Sequence, residues 1–138
     1  PHEKQRRPDD PQAWLDRARS NLIRSRQRMP NVYLEDLCFD AQQAAEKALK
    51  ALCIERGIEF PYVHDLARLV TLLQDEGQPV PDAVREAGRL TRYAVLTRYP
   101  GLGDPVNEDD YERAVAIAER VVEWVEGHVE TGGETPDS

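Results

Sequence analysis

The sequence lacks the long apolar runs and the side-chain clusters that identify many classes of protein. No apolar stretch approaches the roughly 18 residues that cross a bilayer, and residues 1–7 lack the apolar core of a secretory signal. We therefore predict a soluble, cytoplasmic protein. No histidine-rich or cysteine-rich spacing selects a transition metal, and no nucleophile constellation or phosphate-binding loop stands out. We therefore expect no metal and no other cofactor.

Cysteine is scarce, since the chain has only Cys38 and Cys53. Both fall on one predicted helix, 15 positions apart, which at 1.5 Å per residue separates them by about 22 Å. That distance excludes a disulfide within the chain. We expect both thiols to pack as small apolar side chains, and the alternative is a reactive or intermolecular thiol.

Positive charge is scarce overall, because the 138 residues carry a net charge of −8. This balance argues against a protein that coats nucleic acid. The charge is unevenly placed: residues 1–28 hold eight Lys or Arg against four acids, and residues 104–130 hold nine acids against two Arg. Either the two ends steer a basic partner and a phosphate-bearing ligand, or helix faces of opposite sign attract each other within the fold.

Helical periodicity, caps and prolines predict five helices and an all-α fold. The predicted helices cover residues 11–29, 34–56, 66–75 and 81–99, and a last one begins after Asn107 and ends before Gly127. Asp65 and Asn107 are the predicted N-caps of the third and the last helix, and Gly57 is suited to left-handed geometry after the second. Four are long and should form an antiparallel up-and-down bundle, with the short third helix in a connection. We predict a helical domain over residues 11–129, with residues 1–10 and 130–138 disordered.

The second helix carries two contrasting faces and is the predicted centre of the bundle. Small or apolar side chains that allow another helix to approach closely recur at helical spacing: Ala41, Ala45, Ala48 and Leu52. A neighbouring face is polar and carries Gln43, Glu46, Lys47 and Lys50.

Four blocks of sequence, in this order, resemble the HEPN family, the "higher eukaryotes and prokaryotes nucleotide-binding" domains. The blocks are Trp14 with Ala18, the segment 42–51, His64-Asp65-Leu66 and Arg98-Tyr99-Pro100. The resemblance covers residues 11–129 and implies a helical bundle that often dimerises and is encoded in prokaryotes beside a small nucleotidyltransferase. Such pairs commonly behave as toxin and antitoxin. We therefore expect a homodimer that binds nucleotide, with a minimal nucleotidyltransferase as partner and RNA as a further candidate ligand.

Many members of that family are metal-independent ribonucleases with a motif of Arg, four to six residues, then His. No Arg precedes His64 or His128 at that spacing, and residues 92–99, where the motif would be expected, contain no histidine. An Arg cannot replace histidine as a general base, because its guanidinium stays protonated. We therefore predict a binding protein without catalytic residues. The alternatives are a ribonuclease toxin with an atypical set of Arg92, Arg98 and His64, and a plain helical dimerisation module.

The predicted nucleotide or phosphate site lies at the end of the fourth helix. Its residues are Arg92, Tyr93, Arg98 and Tyr99. Guanidinium forks match phosphate oxygens and tyrosine rings stack on bases. The competing interpretation is that the tyrosines fill the core and that the arginines pair with acids of the last helix.

Residues of the second and third helices are further candidates for the site. Lys47 and Lys50 either extend the phosphate-binding surface, with Gln42 and Gln43 as amide contacts, or belong to a solvated face. His64 is either a turn residue beside the helix cap or a part of the site.

Overall fold

The structure is a computed structural model that describes residues 10–62, 64–96, 99 and 105–129. Its elements are helices α1 (Pro11–Ser25), α2 (Leu34–Glu55), α3 (Leu66–Asp75) and α4 (Asp82–Arg85), a 3₁₀ helix (Glu86–Leu90), α5 (Arg92–Leu96) and α6 (Glu108–Glu126). The predicted all-α fold class is confirmed. None of the described helices combines the length and the apolar character that crossing a membrane requires. Apart from Asp10, the segments predicted to be disordered lie outside the described residues.

Helix α2 is the centre of the fold and packs mainly against α1 and α6. Its predicted small-residue seam is confirmed, because Ala41, Ala45 and Ala48 are all 0% exposed. Small side chains at a helix crossing let the neighbouring backbones approach closely. Leu49 and Leu52 of the same helix are also fully buried and fill the core between its neighbours.

Ion pairs join α1 and the residues that follow it to α6 along the surface of the bundle. The pairs are Arg19–Glu126, Arg26–Glu119 and Arg28–Glu108. The basic and acidic segments of the sequence therefore attract each other within the fold, which is one of the two interpretations of the charge pattern. All six side chains are more than a third exposed, so each pair contributes little to stability.

Helix α1 ends at Ser25, not at the predicted residue 29. The hydroxyl of Tyr111 donates to the Ser25 carbonyl at 2.6 Å. That carbonyl would accept from the Met29 N–H if the helix continued, so a side chain of α6 takes its place. The sequence offered Pro30 as the stop, but proline restricts only the residue immediately before it.

The predicted fourth helix is not continuous and consists of α4, the 3₁₀ helix and α5. The irregular part contacts the start of α3. A Cβ atom at Gly88 would lie 3.3 Å from the Cβ atom of Ala67, and the Leu66 N–H donates to Thr91 Oγ1 at 3.1 Å. These contacts hold the segment close to α3, and the chain adopts the tighter 3₁₀ geometry there.

Three further helix ends agree with the caps that the sequence predicts. Gly57 follows α2 with a φ of 72°, which a glycine adopts without steric cost. Asp65 caps α3 by accepting from the Ala67 N–H at 3.1 Å. Asn107 and Asp110 form a reciprocal capping box at the start of α6.

The two cysteines are buried and free, as predicted. Burial, followed by the charge of Asp110, raises the pKa of the Cys38 thiol to about 12. Burial also raises the pKa of the Cys53 thiol to about 11. Both side chains therefore stay protonated near neutral pH and act as packing residues.

Candidate phosphate-binding cleft

A cleft of about 300 Å³ lies between α6 and the segment formed by the 3₁₀ helix and α5. Three arginines from these two sides line it: Arg89, Arg92 and Arg113. Of the lining residues that the structure describes, Asp110 is the one carboxylate, and Leu90, Ala114 and Ile117 are apolar. We refer to this feature as the arginine cleft.

Arg92 is held in the cleft by the aromatic ring next to it. Its guanidinium carbon lies 5.2 Å from the centroid of the Tyr93 ring, within cation–π range. Tyr93 is only 5% exposed, and burial raises the pKa of its hydroxyl to about 12. Tyr93 therefore orients Arg92 and does not present an open ring face on which a base could stack.

The charged side chains of the cleft differ in how far they are already engaged. Asp110 accepts from the Asn107 N–H at 3.1 Å in the capping box. Arg89 pairs with Glu86 at 2.7 Å in an exposed i, i+3 pair. Among the described residues, no ion pair joins Arg92 or Arg113 to an acid. These two guanidinium groups are thus positioned to bind an anion from opposite sides of the cleft.

The structure places only part of the predicted site in the cleft. Arg92 and Tyr93 line it, whereas Tyr99 is 60% exposed and is not among the lining residues. Arg98 lies outside the described residues. Arg89 was not predicted as a site residue, although its i, i+3 spacing from Arg92 is visible in the sequence. Arg113 was not predicted either, because no local pattern connects it to α5 and the two meet only in the fold.

Lys47 and Lys50 do not line the arginine cleft. Lys47 donates to Asn21 Oδ1 at 2.8 Å and so links α2 to α1. Lys50 is 6% exposed, and its ammonium lies 2.8 Å from a carboxylate oxygen of Glu46. The solvated-face interpretation is therefore wrong for Glu46 and Lys50, because α1 and the segment after α2 cover this part of α2.

The segment after α2 and the start of α1 both contribute an aromatic ring over Lys50. Its ammonium lies 5.5 Å from the ring centroid of Phe60 and 5.7 Å from that of Trp14. The faces of aromatic rings attract a cation. This arrangement, together with Glu46, compensates for the burial of the ammonium.

Glu46 is the centre of a buried hydrogen-bond network that includes the remaining predicted residues. Its Oε1 atom accepts from Gln42 Nε2 at 2.7 Å and lies 3.0 Å from His64 Nδ1. Gln43 Nε2 donates to Gln42 Oε1 at 2.7 Å, which extends the network to a half-buried position. The network joins α2 to the residue before the cap of α3.

The charge of Glu46 fixes the tautomer of neutral His64. Burial by itself would raise the pKa of the Glu46 carboxyl, but the hydrogen bonds from Lys50 and His64 outweigh it and lower this pKa below its usual value. An ionised carboxylate only accepts hydrogen bonds, so Nδ1 of His64 carries the proton and Nε2 holds the lone pair. The His64 side chain is 49% exposed, which makes a ligand contact at Nε2 sterically possible.

The lowered pKa of Glu46 predicts a loss of stability in acid. A carboxyl group whose pKa is lower in the folded than in the unfolded chain stabilises the fold above its unfolded pKa, about 4.3 for Glu. This contribution is lost as the pH falls through the folded-state value. We therefore expect the difference in unfolding free energy between the wild type and Glu46→Gln to shrink between neutral and acidic pH. Urea unfolding at a series of pH values measures this difference, and a constant difference would contradict the prediction.

Metal binding finds no support in the part of the chain that the structure describes. No group of three or more His, Cys, Asp or Glu side chains there is arranged to hold a metal ion. The acidic first turn of α6 is explained by its capping box and by the positive end of the helix dipole.

Comparison with known proteins assigns the family. The sequence profile of the HEPN domain matches residues 11–128. The fold is similar to the crystal structure of ST0689, an archaeal HEPN homologue, with a TM-score of 0.69 and 28% identity over 88% of this chain and 98% of that chain. It is also similar to the crystal structure of TT1696 from Thermus thermophilus, with a TM-score of 0.70 and 32% identity over 86% and 98%. No curated protein matches the sequence. The profile match spans most of the chain, which therefore belongs to the HEPN family.

Proposed function

We propose that this HEPN protein binds a nucleotide or another phosphate-bearing ligand in the arginine cleft. The observation that carries the proposal is the convergence of Arg92 and Arg113 from two different elements on one cleft. Guanidinium groups bind phosphate oxygens with paired, charge-assisted hydrogen bonds. The contact of Arg92 with Tyr93 restricts the guanidinium before a ligand arrives, so binding costs less conformational entropy.

The chemistry of the cleft supports binding over hydrolysis. Its lining, as far as the structure describes it, contains arginines, one carboxylate that caps α6, and a tyrosine whose pKa burial raises to about 12. Arginine stays protonated near neutral pH and cannot accept a proton from an attacking hydroxyl. In our proposal, the guanidinium groups hold the ligand without cleaving it.

Binding of a nucleoside triphosphate tests this proposal. We expect Arg92→Ala and Arg113→Ala each to weaken binding on the order of tenfold or more, because each removes a charge-assisted contact worth about 1.5–3 kcal/mol. Isothermal titration calorimetry at low salt measures the affinity directly. The same titrations in higher salt should show weaker binding, since the contacts are electrostatic.

Arg120→Ala is the matched control, because Arg120 is an exposed arginine of α6 that does not line the cleft. It should leave the affinity unchanged. Equal affinity in the wild type, Arg92→Ala and Arg113→Ala would show that the ligand does not use the cleft, and the proposal would then be rejected.

We further propose that the protein acts in the cytoplasm as a homodimer with a separately encoded minimal nucleotidyltransferase, in a pair of the toxin–antitoxin type. The support is membership of the HEPN family together with a cleft suited to a nucleotide that such a partner also handles. Co-expression with a nucleotidyltransferase encoded next to this chain should give a complex that co-elutes in size-exclusion chromatography. Separate elution of the two verified proteins would contradict this part of the proposal.

A second candidate function is ribonuclease activity that uses His64 in place of the missing motif histidine. The observation that favours it is the hydrogen bond from His64 Nδ1 to the buried carboxylate of Glu46, which leaves Nε2 as the basic nitrogen. A base in this arrangement is suited to accept the proton of a ribose 2′-hydroxyl. Incubation of RNA with the wild type and His64→Ala decides the question: cleavage should occur only with the wild type. Intact RNA in both reactions would reject this candidate.

A further inference from the structure

We propose, building on the function proposed above, that the arginine cleft selects a phosphate monoester over an internal phosphodiester. The ligand would be a mononucleotide or the phosphorylated end of a nucleic acid. Both present the same chemistry, a terminal phosphate group with a single organic substituent. The inference rests on the charge, the donor geometry and the size of the cleft.

The formal charge of the cleft matches a dianion. Among the residues of the lining that the structure describes, three guanidinium groups and one carboxylate, that of Asp110, give a net charge of +2. A phosphate monoester approaches a charge of −2 above its second pKa of about 6, whereas a phosphodiester carries a single negative charge. Glu86 lies outside this lining and pairs with Arg89 at 2.7 Å. Both side chains of the pair are exposed, so solvent screens both charges, and the match to a dianion depends mainly on Arg92 and Arg113.

The donors of the cleft also match the three terminal oxygens of a monoester. Arg92 projects from α5 and Arg113 from α6, so two planar forks approach a bound group from two sides. Each fork can donate two parallel hydrogen bonds to a pair of oxygens. Three terminal oxygens allow both forks to bind in this way, while a diester has only two such oxygens.

The size of the cleft favours a ligand that places only one of its ends, the terminal phosphate, in the cleft. Its volume of about 300 Å³ is at the lower limit for small-molecule sites. An internal phosphodiester must carry a nucleoside on each side of the phosphorus into or across this space. A terminal phosphate brings only one substituent, which can extend to the open side of the cleft.

The pH dependence of the ratio of monoester to diester affinity distinguishes titration of the ligand from titration of groups in the protein. Among the described residues, the charged or titratable groups that line the cleft are three arginines, Asp110 and Tyr93, and burial raises the pKa of the Tyr93 hydroxyl to about 12. Cys38 lies behind Tyr93, and burial raises the pKa of its thiol to about 12. A phosphodiester ligand does not titrate in this range, so any effect of protein groups such as Asp110 would appear with the diester as well.

The experiment compares adenosine 5′-monophosphate with its methyl phosphodiester by isothermal titration calorimetry at low salt. At about pH 7.5, we expect the monoester to bind on the order of tenfold more tightly than the diester, because one more negative charge meets the cleft. At about pH 5.5 the ratio should fall to about threefold, since about three quarters of the monoester then carry a single charge. Arg113→Gln should reduce the ratio at the higher pH, and Arg120→Gln should not.

A second set of titrations distinguishes a free mononucleotide from the phosphorylated end of a nucleic acid. A short oligonucleotide with a 5′-phosphate is compared with the same oligonucleotide ending in a 5′-hydroxyl, and a preference for the phosphorylated end would extend the selection to nucleic acid. Equal affinity for adenosine 5′-monophosphate and its methyl ester at the higher pH would contradict the proposed selectivity but not the proposed nucleotide binding. No binding of either ligand or of the nucleoside triphosphate would reject both proposals.

Discussion

Replacing Glu46 by alanine is expected to lower the free energy of unfolding by about 3–5 kcal/mol. The substitution leaves the ammonium of Lys50, which is 6% exposed, without its carboxylate partner. It also removes the acceptor of the buried Gln42 amide. Unsatisfied buried groups lose their hydration on folding without gaining a partner. Urea unfolding of the wild type and the variant, followed by far-UV circular dichroism, measures the loss.

Two control variants distinguish the effect of burying the Glu46–Lys50 pair on stability from the effect of its charges. Glu86→Ala breaks the exposed i, i+3 pair with Arg89 and should cost less than about 1 kcal/mol. The double variant Glu46→Ala with Lys50→Met removes both charges and should be more stable than Glu46→Ala alone. A loss from Glu46→Ala as small as that from Glu86→Ala would show that Lys50 finds solvent or another partner in the variant.

Replacing Leu49 by alanine should destabilise the fold by about 2–5 kcal/mol. Leu49 lies on the central helix α2 and is 0% exposed within the core. The substitution loses the transfer free energy of the removed carbon atoms and leaves a cavity, because tightly packed helices close such a space only partly. The measurement is again urea unfolding, with the slope of the transition compared between variants so that a change in the unfolded state is recognised.

Leu49→Met is the control, because it conserves volume and keeps the site apolar. It should cost less than about 1.5 kcal/mol. If Leu49→Ala and Leu49→Met gave similar losses, shape and not cavity formation would dominate at this position. A loss below about 1 kcal/mol for Leu49→Ala would show that α2 is not the packed centre of the bundle.

Local sequence patterns predicted the helices well wherever a cap or a regular stripe marked them. Asp65 and Asn107 accept the backbone hydrogen bonds that their positions indicated, and Gly57 adopts the left-handed conformation expected after α2. The start and end of a helix depend on a few neighbouring residues, so such features are visible in the chain itself. The end of α1 and the break within the fourth predicted helix were missed, because Tyr111 and Ala67 act on them from other elements.

The candidate site was predicted less completely than the fold. Arg92 was identified because two arginines and two tyrosines cluster at the end of the predicted fourth helix, and it lines the cleft. Arg113 approaches it from α6, and only the packing of α6 beside α5 brings the two together. Lys50 was grouped with the phosphate site because of its charge. The structure instead buries it against Glu46, Trp14 and Phe60, where its charge is neutralised within the fold.

By itself, the order of residues determined that this chain forms a helical HEPN domain, with a small-residue seam on a central helix and without an Arg-then-His ribonuclease motif. The helices and the seam follow from periodicity and caps, which act over a few residues along the chain, whereas the family was indicated by the resemblance of four sequence blocks and shown by the profile match. Only the tertiary structure decided which charges face a ligand and which neutralise each other. That outcome depends on distance and burial between side chains far apart in sequence, since Coulomb attraction and desolvation are set by spatial surroundings.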